Sequence, residues 1–321
     1  MIESNGLFMK KVLIFGAGGF VGKYLSEEMI NHGYVVEGSD MQKTDNILDA
    51  VGFFPCNILD TEKVAALIQE RQPDYIVNLA AISSVGASWN MPAMTMSVNV
   101  VGALNILEAA KKLQKMPEIM FIGSSEEYVP SSSATSEDTE LNANNPYGIS
   151  KMTQEKFAEM YRQRYGMRIY YVRPFNHTGI GQRDSFVLPS FCRQAAEIES
   201  SGKPGTIHVG NLEAKRDFSD VRDIVRAYRL ILESGNYGTV YNVGSGEAYS
   251  LKGILNHIIA FSNQKIDVVV DEDKYRPIDT PLVLCDYHKI KSELGWEPQY
   301  SIFDTLKEMY QYYLQQSKKN K

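Results

Sequence analysis

The sequence has little cysteine and no closely spaced pair of them: Cys56, Cys192 and Cys285 are the only three in 321 residues. That excludes a disulfide framework and a cysteine-based metal site, so the three read as reduced thiols and no metal is expected. An excess of basic residues is also missing. With 33 Lys and Arg against 39 Asp and Glu, the formal net charge of −6 argues against a nucleic-acid surface, which needs a clustered basic face. No uninterrupted apolar run reaches the roughly 18 residues of a membrane span. Residues 1 to 9 lack the apolar core and cleavage pattern of a signal peptide. The expectation is a cytoplasmic protein with neither membrane nor nucleic acid as partner. What is present is ordinary for a globular chain: 44% hydrophobic and 22% charged residues, enough to bury one or two sizeable cores.

The most informative stretch is Gly16-Ala17-Gly18-Gly19-Phe20-Val21-Gly22. It follows the apolar run Val12 to Phe15 and opens the helical segment Tyr24 to Asn31, so a buried strand turns into a helix within a few residues. Glycines stand where side chains would obstruct a pyrophosphate. Gly16 reaches φ values closed to other residues, Gly19 lets the backbone approach the ligand, and Gly22 lets helix pack on strand. Glycines at this spacing recur by chance, but the strand and helix around them raise the pattern to a dinucleotide-binding signal. A second strand, Val35 to Gly38, ends in Ser39-Asp40. Asp40 falls roughly 20 residues past the loop, where a carboxylate accepts the adenosine ribose hydroxyls and repels a 2′-phosphate. NAD(H) is therefore favoured, with NADP(H) the alternative because Lys43 stands nearby.

Strand and helix then alternate. Thr61 to Arg71 has helical spacing at Val64, Leu67 and Ile68, and Tyr75 to Ala81 is a short apolar strand of the parallel-sheet kind. A long helix is expected over Met94 to Lys112, a strand over Ile119 to Ile122, a polar surface loop over Ser131 to Asn145, a helix from Pro146 and a strand over Arg168 to Arg173. This alternation specifies an α/β fold, a Rossmann-type doubly wound parallel sheet. Beyond Pro174 the pattern loosens into helices near 187–199, 221–232, 251–261 and 302–313 with short strands between them. Those pieces are read as a smaller C-terminal substrate-binding region. The expected division is residues 1–175 plus about 218–245 for the dinucleotide domain, and 176–217 plus 246–321 for the smaller one.

Tyr147 and Lys151 are four residues apart at a helix start, so their side chains project from one face, one turn apart. An ammonium beside a phenol favours the phenolate and lowers its pKa from about 10, which makes Tyr147 a usable general acid or base. Ser124 follows a strand and is placed to bind the same substrate oxygen. Together the three suit proton transfer coupled to hydride transfer at a carbinol or ketone. His177, by contrast, reads as a packing residue.

The order of glycine loop, ribose carboxylate, asparagine-bearing helix, serine-ending strand, tyrosine and lysine resembles the short-chain dehydrogenase/reductase superfamily, in particular its extended branch acting on nucleotide sugars. Three segments sharpen the likeness: Gly123-Ser124-Ser125-Glu126-Glu127-Tyr128, Phe175 to Gln182 and Gly210 to Asp223. They look like GDP-4-keto-6-deoxy-D-mannose reductases and, less closely, GDP-mannose 4,6-dehydratases. The resemblance implies Ser124, Tyr147 and Lys151 as catalytic, with Glu126 either a base in a dehydratase or an orienting group in a reductase. It implies a cofactor site of Gly16, Gly19, Phe20, Val21, Gly22, Asp40, Asn57, Ile58, Leu79, Ala80, Ala81, Asn99, Tyr147 and Lys151. Ser125, Glu126, Asn176, Arg216 and Arg276 would bind a GDP-sugar, arginine forks matching phosphate oxygens. A homodimer packed through the Met94 to Lys112 and Tyr147 to Tyr165 helices is also implied. Val129, in place of the usual glycine after the first segment's tyrosine, and Asn57, in place of a frequent aspartate, depart from the pattern. Reductase, dehydratase and epimerase chemistry remain open, and so does a nucleotide sensor without catalysis, for which Ser124, Tyr147 and Lys151 together would have no use.

Overall fold

The computed structural model describes residues 9–271 and 280–319. In chain order the first elements are β1 Lys11–Phe15, α1 Phe20–Asn31, β2 Val35–Asp40, β3 Gly52–Pro55, α2 Thr61–Arg71 and β4 Tyr75–Asn78. Then come α3 Val85–Asn90, α4 Pro92–Met96, α5 Gly102–Ala110, β5 Glu118–Ile122, α6 Pro146–Tyr165 and β6 Ile169–Pro174. The rest comprises β7 Asn176–Thr178, α7 Val187–Ser201, β8 Gly205–Val209, β9 Lys215–Asp220, α8 Val221–Ser234, β10 Val240–Val243 and β11 Ala248–Ser250. It ends with α9 Leu251–Ile259, β12 Ile266–Val270, β13 Leu282–Val283, α10 His288–Leu294 and α11 Ile302–Lys319.

These form two compact units. The first takes Met1–Glu127, Leu141–Arg173 and Val225–Val240, and the second Tyr128–Glu140, Pro174–Ile224 and Tyr241–Lys321. A seven-stranded sheet runs in the order β10-β6-β5-β4-β1-β2-β3, and the strands from β6 to β3 pair parallel throughout. Helices on both faces bury such strands on both sides, which is why β1 is apolar at successive positions: Val12, Leu13, Ile14 and Phe15 are all at most 1% exposed. Each such side chain contributes about 1.5–3 kcal/mol of burial. Register brings Phe15 opposite both Ser39 and Asn78, and Asn78 opposite Phe121, so the carboxyl ends of four strands lie level. Ligands of open parallel sheets bind at that edge.

The helix expected over Met94 to Lys112 is three pieces, α4, a π turn over Ser97–Val101, and α5. Pro92–Ala110 is also, by length and composition, apolar enough to cross a membrane, although no uninterrupted apolar run spans it. Its apolar face is used by the protein core instead: Ala103, Ile106, Leu107 and Ala110 pack with Leu13, Ile76, Ile119 and Phe121. Cys56, Cys192 and Cys285 are free and buried.

The second unit has its own core, with Leu188, Phe191 and Ala195 of α7 against Ile254 of α9 and Leu306 and Met309 of α11. Its strands form a mixed sheet in which β9 pairs antiparallel with β11 and parallel with β7 and β13, plus a parallel β8–β12 pair. Residues 128–140, assigned by sequence to the dinucleotide domain, group with this unit. Val129 N–H donates to Glu140 O, Thr135 N–H donates to Leu284 O, and Asp286 N–H donates to Thr135 O. Such pairings between distant stretches leave no mark in local sequence.

Candidate active site

The glycine loop connects β1 to α1. Gly16 has φ +79°, and a Cβ there would lie 2.6 Å from Ala80 N, 2.8 Å from Leu79 C and 2.9 Å from Ala80 Cα. A Cβ on Gly22 would sit 2.5 Å from Ala17 O. On Gly19 it would meet only Gly16 O, at 3.2 Å. The first two glycines are therefore required by the protein's own packing, while Gly19 is exposed and open on its outer side. Gly19 is also the N-cap of α1, with no side chain capping the helix and no acidic residue in its first turn. Bare helix N-termini of this kind favour a phosphate. The residues fit the diphosphate of a dinucleotide.

At the end of β2, Asp40 Oδ2 accepts from Gly18 N–H at 3.2 Å and Oδ1 from Met41 N–H at 2.7 Å. Asp40 is thus anchored to the glycine loop itself. Thr44 and Asn46 were not singled out by sequence, yet both donate to Gly18 O, at 3.0 and 3.1 Å. Leu79, Ala80 and Ala81 follow β4 beside the loop, with Leu79 N–H donating to Phe15 O. Phe20 and Val21 are half-buried in the first turn of α1. Asn57 is exposed and accepts from Leu59 N–H at 3.0 Å, while Ile58 is buried against Gly102.

Asn99 lies in the π turn and is fully buried. Its amide donates to Ser150 Oγ at 2.8 Å and to Ile82 O at 3.2 Å, and its Oδ1 accepts from Ile82 N–H at 2.9 Å. Gln154 of α6 donates to Asn99 O at 3.0 Å. The Asn99 carbonyl in the π turn thus finds a side-chain donor, and Ser150 and Gln154 tie α6 to this segment.

Asn145 starts α6 by accepting from Gly148 N–H at 2.9 Å, followed by Pro146 in the first turn. Tyr147 and Lys151 then face the end of β5. The Ser124 side chain lies near enough to the Tyr147 hydroxyl to favour the phenolate, and Ser124 Oγ accepts from Glu126 N–H at 3.1 Å. Lys151 Nζ lies 5.9 Å from the centre of the Tyr147 ring and donates to Ile122 O at 2.7 Å. Burial lowers the Lys151 pKa to about 8, against the attraction of Glu127. Serine, tyrosine and lysine are brought together as expected, but the expected fall in the phenol pKa is not. Burial pushes Tyr147 above its ordinary value, the Glu127 and Glu126 carboxylates push the same way, and only the Ser124 hydrogen bond opposes them. Taking a phenolate out of water costs more here than its surroundings return.

Glu126 accepts from Asn145 Nδ2 at 2.9 Å, and Ser125 is half-buried beside it. Its neighbour Glu127, passed over by sequence, is fully buried. In the second unit, Asn176 opens β7 opposite Phe218 of β9, so Asn176 and Arg216 lie on neighbouring strands, two residues out of register. Arg216 donates from Nη1 to Lys215 O at 2.9 Å and Thr280 O at 2.6 Å. His177 is held by a contact of Nδ1 with Phe175 O at 3.0 Å, and burial lowers its pKa. Arg276 lies outside the described residues. Among the described residues no group of three or more His, Cys, Asp or Glu could hold a metal.

A family model described as GDP-mannose 4,6 dehydratase matches residues 13–309. The chain is 27% identical over 312 residues to a GDP-6-deoxy-D-mannose reductase of Pseudomonas aeruginosa, across 93% of this chain and 95% of that protein. It is 27% identical over 346 residues to a GDP-mannose 4,6-dehydratase of Vibrio cholerae, across 94% and 92% respectively. Among solved structures, RMD from Pseudomonas aeruginosa complexed with NADPH superposes at a TM-score of 0.82 with 26% identity, over 96% of this chain and 100% of that one. The glycine loop, Asp40, Ser124, Tyr147 and Lys151 thus sit in a chain that belongs to the GDP-mannose 4,6 dehydratase family, among the extended NAD(P)-dependent short-chain dehydrogenases and reductases.

Proposed function

We propose that this protein reduces the C4 keto group of a GDP-4-keto-6-deoxyhexose with NAD(P)H. The observation that carries this reading is the convergence of Ser124, Tyr147 and Lys151 at the end of β5, with a phenol placed to give or take a proton. Ketone reduction needs a proton donor at the carbonyl oxygen, and oxidation of a carbinol needs a base. Held by the Gly16 to Gly22 loop and Asp40, a dinucleotide would supply the hydride for C4. Tyr147 gives its hydroxyl proton to the O4 alkoxide as the C4–H bond forms, and Ser124 hydrogen-bonds that same oxygen. Lys151 contributes positive charge beside the phenol and a donor for the ribose. In the second unit, Asn176 and Arg216 bind the diphosphate. The reductase of Pseudomonas aeruginosa supports the choice of reaction. Purified protein given NADH or NADPH and GDP-4-keto-6-deoxymannose should oxidise the cofactor in step with loss of the ketone, and no oxidation with either cofactor would reject the reading.

A 4,6-dehydratase is the second reading, favoured by the family model and by Glu126, a carboxylate two residues past Ser124 and held by Asn145. There Glu126 would take the C5 proton after C4 oxidation. Mass spectrometry of GDP-mannose incubated without added cofactor separates the cases: loss of one water selects the dehydratase, and a 4-epimerase leaves the mass unchanged.

NAD(H) is the preferred cofactor on the strength of Asp40, although the RMD structure holds NADPH. An Asp40→Ala variant should shift relative affinity toward NADP(H) by on the order of tenfold, about 1.4 kcal/mol for removing one close like charge. Titrating protein fluorescence with each cofactor measures it, and an unchanged ratio would remove Asp40 from the discrimination. The exposed Trp89, Met91, Met94 and Val101 beside Ile149 and Met160 of α6 support a homodimer through these helices. A sedimentation mass of one chain would count against it.

A further inference from the structure

The carboxylate next to the catalytic turn that faces inward is Glu127, not Glu126. Consecutive residues after β5 turn opposite ways: Glu126 is half-buried and meets Asn145, while Glu127 is fully buried. Glu127 Oε1 accepts from Ser124 N–H at 2.6 Å. Its Oε2 lies 3.7 Å from Arg173 Nε and accepts no hydrogen bond among the described residues. Gly123 makes room for it, since a Cβ at that position would collide with Glu127 Oε1 and lie 2.5 Å from the Tyr171 ring. Arg173 is committed to Glu155, through Nε to Oε2 at 3.0 Å and Nη2 to Oε1 at 2.6 Å. So much buried charge in one place is costly unless each group has a task or a partner.

We propose that Glu127 is a positioning residue of the active site, one buried carboxyl that holds Ser124 by its backbone N–H and, in its ionised form, places negative charge facing Lys151. The proposal rests on the assignment of Ser124, Tyr147 and Lys151 above and is independent of whether the chain reduces or dehydrates. Two oxygens divide the work. Oε1 sets the turn that aims the Ser124 hydroxyl at Tyr147. As pH rises toward 8 and Glu127 ionises, its negative charge offsets the desolvation of Lys151, whose protonated form would otherwise be disfavoured further. The groups facing Glu127 are Lys151, Glu155 and Tyr147 on α6, and Tyr171 and Arg173 on β6. Burial and Glu155 raise the Glu127 carboxyl well above the usual range, against Arg173, the Ser124 N–H and Lys151.

Glu127→Gln tests this, because glutamine keeps an oxygen for Ser124 N–H and removes the charge. With whichever sugar nucleotide the wild type turns over, the alkaline limb of kcat should move about one pH unit toward acid, since Lys151 then loses its proton earlier. Near pH 8 the variant should be on the order of tenfold slower, and near pH 6.5 close to wild type. Glu127→Asp, which keeps the charge, should retain the wild-type limb. A loss of equal size at every pH, or no loss, would overturn the proposal. Thermal unfolding gives a readout without turnover. A carboxyl raised on folding stabilises below its unfolded value and loses that contribution as pH rises from about 4.5 toward 8. Relative to wild type, the glutamine variant should gain in Tm across that interval. A parallel pair of Tm curves would remove the buried charge from the proposal, whereas an inactive wild type would count only against the functional reading.

Discussion

A Tyr147→Phe variant is expected to lose about 10²- to 10⁴-fold in kcat, the range for removing a positioned general acid, while unfolding near the wild-type temperature. The change deletes one oxygen and keeps the ring, so packing around the start of α6 is preserved. Ser124 loses one partner but its Oγ still accepts from Glu126 N–H at 3.1 Å, and its own N–H stays on Glu127 at 2.6 Å. The stability cost should therefore stay within the ~0.5–1.5 kcal/mol of an ordinary hydrogen bond. What is lost is the proton for the forming alkoxide, and neither Ser124 nor Lys151 replaces it. A hydroxyl is a far weaker acid than a phenol, and the Lys151 ammonium donates to Ile122 O at 2.7 Å. Substrate binding should change little, because the phenol acts chiefly in the transition state. Steady-state kinetics with a melting curve on the same preparation checks both halves, and a kcat within threefold of wild type would mean the proton comes from another group.

Gly16→Ala should strongly destabilise the first unit. Two independent costs add. An L-residue at φ +79° is held in the left-handed region, about 1–2 kcal/mol, and the new Cβ would overlap three backbone atoms at 2.6–2.9 Å. Backbone cannot swing aside as a flexible side chain can, so relief requires β1 and the chain after β4 to separate, at about 1–3 kcal/mol more. The expected loss is about 2–5 kcal/mol in denaturant unfolding. Affinity for both NADH and NADPH should fall together, because the phosphate cradle moves rather than the ribose end. Gly19→Ala is the control: its Cβ meets only Gly16 O at 3.2 Å, so stability should change far less while dinucleotide binding still weakens. If Gly16→Ala unfolds like wild type, the loop is not constrained as described.

Local patterning was sufficient for the parallel sheet and for much of the site, for an identifiable reason. Strands buried on both faces must be apolar at every position, so β1 and β4 stand out as short continuous runs. The helix over Thr61–Arg71 is bounded by Asp60, whose side chain accepts from Lys63 N–H, and by Gln72 in the left-handed region. Gly16, Asp40, Ser124 and Tyr147 are legible for a similar reason, since each sits at a strand end or a helix start that the chain announces locally.

Other features depend on residues far apart in the chain, and these no window of sequence could supply. Whether Glu126 or Glu127 faces the interior turns on which side of β5 is occupied by Arg173 and Lys151, some 46 and 24 positions further on. The protonation of Tyr147 depends on how much water the fold removes and on the Glu127 and Glu126 carboxylates it brings near. The π turn around Asn99 is stable because Ser150 and Gln154 arrive from α6 to satisfy its polar groups. Residues 128–140 join the second unit through Leu284 and Asp286. Periodicity and turn chemistry are properties of neighbours along the chain and specify the elements, whereas burial, charge pairing and side-chain direction are set by whatever the folded chain brings alongside.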